Sequence, residues 1–66
     1  MNWDQIQGDW KKVTGKFREN FGKISADEFE KIAGKRDQML GAIQKHYGLA
    51  KEEAEKQLRR FEQSLH

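Results

Sequence analysis

Trp3, Ile6, Trp10, Val13, Phe17 and Phe21 recur at intervals of three and four, which places their side chains on one stripe of an α-helix. The spacing predicts a first helix over about Trp3–Phe21, with Asn2 as an N-cap accepting from the first-turn amides. Gly8 and Gly15 lie inside that span, each costing ~1 kcal/mol relative to alanine. Either they admit a second backbone or the helix kinks at them. Gly22 reads as the stop, because a residue without Cβ takes the left-handed conformation cheaply. Ser25-Ala26-Asp27-Glu28 has the S-x-x-E form of a capping box ahead of Phe29 and Ile32. It predicts a short second helix over about Ala26–Ala33, ended or bent at Gly34. Met39, Leu40, Ile43 and Tyr47 predict a third over Lys35–Tyr47, stopped at Gly48. Ala54, Leu58, Phe61 and Leu65 predict a fourth over Lys51–Ser64. Glu52–Lys56 and Glu55–Arg59 are favourable i, i+4 pairs on it. Ala50 stands at its capping position, where Ser or Asp is favoured.

The six glycines form two triplets of equal spacing, Gly8, Gly15, Gly22 and Gly34, Gly41, Gly48. A shift of 26 positions superposes them and aligns Val13 with Met39, Phe17 with Ile43, Phe21 with Tyr47 and Ile32 with Leu58. The match is degenerate, since Trp10 meets Arg36 and Thr14 meets Leu40. It nevertheless reads as an internal duplication, each half a helix, a glycine corner and a second helix.

Sixty-six residues make one domain, 1–66, with no cysteine for a disulfide or thiolate metal site. No proline, linker or charged tail interrupts it. The N-terminus lacks the continuous apolar run of a secretory signal, and no stretch approaches a membrane span. A cytoplasmic protein is expected. Charged residues are 36% of the chain, 13 basic against 11 acidic. Residues 1–24 hold five Lys/Arg and three Asp/Glu, and the remainder eight of each, so the excess sits on the first helix. With the signs so interspersed, a dedicated nucleic-acid module is not indicated. Mean hydropathy of -1.10 lies near the border of disorder, and the seven regularly placed aromatics argue for a folded core of marginal stability.

Gly34-Lys35-Arg36-Asp37-Gln38, Gly41, Ile43-Gln44, Tyr47-Gly48, Lys51 and Ala54-Glu55 resemble the CsbD-like family of small bacterial proteins. Trp10-Lys11, Gly15-Lys16-Phe17 and Gly22-Lys23-Ile24 extend the resemblance over essentially the whole chain. It implies an all-α fold of four helices, two helical hairpins packed roughly orthogonally in a SAM-like or helix-hairpin-helix-like arrangement. It also implies a general-stress-associated protein without an assigned biochemical activity.

The corners Phe21–Ser25 and Tyr47–Lys51 invite comparison with phosphate-binding hairpins. Neither has a second glycine, and each following first turn is acidic, with Asp27 and Glu28 in one and Glu52 and Glu53 in the other. Those carboxylates repel phosphate. The basic run Lys11, Lys12, Lys16, Arg18 and Lys23 offers a better surface, with Lys12, Lys16 and Lys23 expected near one helical face. Lys35, Arg36 and Asp37 lack the spacing of a phosphate loop and are expected to pair with charges on neighbouring helices. Lys12, Lys16, Lys23, Lys35 and Arg36 are therefore the candidate binding residues. His46 and His66 lack metal-ligand spacing, Ser25, Ser64 and Thr14 have no base near them in sequence, and no cofactor is implied.

These features point to a non-enzymatic stress-response protein, monomeric and acting as a hydrophilic protectant. The alternative is a small binding module for nucleic acid or a protein partner through the basic face of the first helix. A third reading, peripheral membrane association, requires Trp3, Trp10 and Phe17 to be free to insert.

Overall fold

The first helical stretch breaks at Gly8–Asp9, so the chain forms five helices where the spacing predicted four. In the computed structural model, which describes residues 2–65, these are α1 (Trp3–Gly8), α2 (Trp10–Asn20), α3 (Ala26–Ile32), α4 (Arg36–Tyr47) and α5 (Lys51–Ser64). No strand occurs among the described residues. His66, considered above as a metal ligand, lies outside them.

The caps explain most boundaries. Asn2 and Gln5 form a reciprocal capping box at the start of α1. Asp9, at φ -105° and ψ 28°, leaves helical geometry, ending α1 and opening α2. A Cβ on Gly8 or Gly15 would meet nothing within 4 Å. Close approach of another backbone is therefore not the reason for either glycine; Gly8 marks the kink, and α2 runs unbroken through Gly15. Phe21 caps the end of α2, and Gly22 does not take a positive φ. The left-handed stop expected at Gly22 is thus corrected: the helix ends at Asn20, with the buried Phe21 as its C-cap at φ -125° and ψ 60°. Gly48 does take that conformation, at φ 64°. At the end of α3 both Ala33 (φ 50°) and Gly34 (φ 80°) do so.

Ser25 accepts from the Glu28 amide at 3.2 Å, as expected, while the Glu28 carboxylate lies 3.6 Å from His46 Nε2 on α4. On α5, Lys56 approaches Glu53 at 3.7 Å instead of Glu52, and Arg59 meets Glu55 at 3.9 Å.

Among the described residues fifteen apolar side chains form one core, and no polar or charged residue is buried with them. Seven of the eight positions aligned by the 26-residue shift belong to it, and Tyr47 packs against its edge. Phe17 is its hub, with ring centroids 4.0 Å from Phe61, 5.3 Å from Trp10 and 6.1 Å from both Phe21 and Phe29. Ring packing of this kind adds ~0.5–1.5 kcal/mol per pair beyond area burial. The two repeats meet directly where Phe21 stands edge-on to Tyr47 at 6.0 Å. Helix α5 packs along α4, α3 packs on α4, and α1 on α2.

Candidate functional site

Two surfaces carry the candidate residues, and they differ in how their charges are used. The first is the corner where α4 begins beside α5. Arg36 is the first residue of α4, and its guanidinium forks onto Glu55, with Nη1 and Nη2 donating at 3.1 and 2.7 Å. Its Nε donates to Glu62 at 2.9 Å. This bidentate geometry is the strong form of the ion pair. The hydrogen bond to Glu55 is the main cause that raises the Arg36 pKa, burial opposing it, and the same bond holds the Glu55 carboxyl below its usual range. Gly34, just upstream, is buried: a Cβ there would lie 2.8 Å from the Cα of Gln7 in α1. The expectation that Arg36 locks its helix to a neighbour holds, and the neighbour is α5. Trp3, Gln7, Leu40 and Lys51 join it around an open groove of about 570 Å³. Lys35 stands exposed at the N-cap with no capping hydrogen bond from its side chain.

The second surface is α2. Lys11, Lys12, Lys16 and Arg18 are all exposed, and none has an ion-pair partner among the described residues. They do not make one stripe. At 100° per residue, Lys11 and Arg18 fall on the flank towards α3, whereas Lys12 and Lys16 fall on the far side. Lys23, expected on the face of Lys12 and Lys16, lies beyond the end of α2 in the turn. Its amide donates to the Tyr47 hydroxyl at 3.2 Å and its ammonium stands 5.2 Å from the centre of that ring. Lys23 therefore ties the first corner to α4, a cation–π contact invisible in the linear spacing.

Between α2 and α3 runs an open groove of about 480 Å³ lined by Trp10, Lys11, Thr14, Arg18, Ala26, Phe29, Glu30 and Ala33. Trp10 is half-buried, and its indole N–H donates to the Phe29 carbonyl at 2.9 Å. That bond and the contact with Phe17 fix the ring against the fold. Trp3 packs edge-on to Phe17 at 6.2 Å, and Phe17 is fully buried. Phe17 is thus unavailable for membrane insertion, and Trp3 and Trp10, though partly exposed, are anchored against the fold.

The hydroxyls are also engaged. Thr14 Oγ1 donates to the Trp10 carbonyl, Ser64 Oγ donates to the Phe61 carbonyl, and Ser25 caps α3. The first turns of α3 and α5 carry Asp27, Glu28 and Glu52, Glu53, as the sequence argument against phosphate requires. Among the described residues no group of three or more His, Asp or Glu is placed to hold a metal ion. No helix among the described residues is long and apolar enough to cross a membrane.

Comparison with known proteins adds a family. A family model described as CsbD-like matches residues 4–56. The chain is 48% identical over 62 residues to a UPF0337 protein of Pectobacterium atrosepticum, covering 94% of this chain and 90% of that one. It is 45% identical over 62 residues to a UPF0337 protein of Protochlamydia amoebophila, covering 94% of each. With the UPF0337 protein YjbJ of Escherichia coli strain K12 it shares 47% over 58 residues, 88% of this chain and 84% of the other. No solved structure matches it.

Proposed function

The chain belongs to the CsbD-like family, and from that premise we propose a non-enzymatic cytoplasmic stress-response protein that acts as a hydrophilic protectant. The observation that carries this reading is the separation of core from surface. Every buried side chain among the described residues is apolar, so the chain's 13 basic and 11 acidic residues all stay at least partly exposed on a domain of only 66 residues. A surface so dense in both signs retains water and offers other proteins little apolar area to stick to. The test is drying. An unrelated enzyme dried with this protein at high molar ratio should retain more activity than the same enzyme dried with an inert protein of equal size. Equal losses in the two samples would overturn the reading.

The unpaired cations of α2 favour a second reading, a binding module whose contact face is that helix, with Lys12 and Lys16 among its contributors. Binding of that kind weakens steeply with salt.

A further inference from the structure

We propose that the groove between α2 and α3 binds single-stranded nucleic acid, an unpaired base lying against Trp10 and neighbouring phosphates held by Lys11 and Arg18. This rests on the second reading above, α2 as a contact face, and narrows it to one partner and one groove.

Charge is the first observation. Residues 10–25 carry five Lys/Arg against one Glu, leaving eight basic against ten acidic residues for the rest of the chain. A net charge of +2 therefore conceals a positive helix on a negative body. Among the described residues Arg36, Lys56 and Arg59 are committed to carboxylates, whereas the four cations of α2 are not. A patch of uncommitted cations attracts a polyanion and gains affinity by releasing its counterions.

The shape beside that charge selects the kind of polyanion. A duplex offers phosphates but keeps its bases stacked, so it has no use for an aromatic ring beside the cations. A single strand has free base faces, and cation-lined grooves with aromatic platforms are how such strands are held without sequence preference. Of the two aromatics at this groove Phe29 is fully buried, so Trp10 supplies the platform. Its N–H bond to Phe29 sets the ring's orientation before any ligand arrives, which lowers the ordering cost of binding. Lys11 and Arg18, seven positions apart, stand two turns from one another on the same flank, about 10 Å along the axis. Gly15 lies between them with nothing within 4 Å of where its Cβ would be. The helix backbone is thus bare beside the groove, between the two cations. Glu30 lines the groove too and opposes an anion.

The experiment is fluorescence anisotropy with a labelled oligothymidylate of about 12 nucleotides, an abasic strand of the same length, a duplex, and anionic phosphatidylserine vesicles. The oligothymidylate should bind at low salt, with log K falling against log salt at a slope of about -1.4, as neutralising two phosphates with Lys11 and Arg18 requires. Lys11→Gln and Arg18→Gln should each weaken binding roughly 5- to 10-fold with unchanged melting curves. Glu30→Gln should tighten it, and Lys45→Gln on exposed α4 surface should leave it alone. The abasic strand should bind at least about fivefold more weakly. An abasic strand or duplex that binds as well as oligothymidylate overturns the proposal, as does an equal loss in Lys45→Gln. Vesicle or duplex binding that depends on Lys11 and Arg18, without single-strand binding, overturns it while leaving α2 as a contact face. No binding to any probe overturns the proposal and leaves α2 only a protein partner.

Discussion

Helices α2 and α5 each carry four basic residues, yet they use them differently. On α5 the cations are matched by four carboxylates, two of which reach across to clasp Arg36 of α4. On α2 one Glu accompanies four cations that have no ion-pair partner among the described residues. The glycines repeat the contrast. Gly34, beside Arg36, is packed against the backbone of Gln7, while Gly15 on α2 faces open space. A charge or a glycine committed to the fold is revealed by its loss in stability. One left uncommitted is silent in the isolated protein and available to something else. The comparison therefore makes opposite predictions for like substitutions in the two regions.

Gly34→Ala should have the largest effect. The new Cβ would stand 2.8 Å from a backbone atom of α1 and 2.9 Å from the Gln7 Cγ, at a φ of 80° that alanine rarely takes. Overpacking and the left-handed conformation each cost ~1–2 kcal/mol. Together they should destabilise the domain by roughly 2–4 kcal/mol, read by chemical denaturation. A loss below about 0.5 kcal/mol would show that the contact between α1 and the α3–α4 turn yields easily.

Arg36→Gln should come next, lowering the melting temperature by roughly 3–6 °C. The difference from the parent should shrink in high salt, because the ion pairs are partly exposed. Acid should reveal the same contact. Glu55 has a folded pKa below its unfolded one because Arg36 bonds its carboxylate. That contribution is complete above the ordinary carboxylate range and fades as the pH falls through the lower folded value. Thermal melts of Arg36→Gln should therefore decline less between neutral and acid pH than those of the parent. Parallel declines would assign the acid sensitivity to other carboxylates.

Ala50→Ser tests a gap in the same corner. Ala50 has the extended backbone of an N-cap, φ -65° and ψ 157°, but no side-chain acceptor for the α5 amides. A serine there should raise stability by roughly 0.5–1 kcal/mol, measured as a higher melting temperature. A lower one would show that Ala50 is not the capping position.

Much of this corner was legible in the sequence. The α5 boundaries, the missing cap at Ala50 and the inward faces of α4 and α5 follow from i, i+3, i+4 spacing and capping chemistry, which are local. The break at Gly8–Asp9 was harder to read, because the apolar stripe from Trp3 to Phe21 continues in phase across it. The partners of Arg36 were hidden for a different reason: Glu55 and Glu62 are 19 and 26 residues away, and only tertiary packing selects them among eleven carboxylates. Lys23 shows the same limit. Helical periodicity puts it with Lys12 and Lys16, but the helix ends at Asn20 and the side chain turns to Tyr47. The α2–α3 groove was missed because its aromatics, Trp10 and Phe29, read simply as core.

Gly15→Ala is the smallest of the four effects and bears most directly on α2. Alanine at an exposed helix interior should stabilise the domain by about 0.4–1 kcal/mol, chiefly by restricting the unfolded chain. Nothing in the fold opposes it, since the position has open space around it. The glycine therefore lowers the stability of α2 without improving any internal contact. If the bare backbone serves a strand lying between Lys11 and Arg18, the more stable variant should also bind oligothymidylate less tightly. A more stable variant with unchanged binding would place the strand away from Gly15. A destabilised variant would mean that α2 depends on this glycine internally, and the contrast between the two helices would then fail at its simplest point.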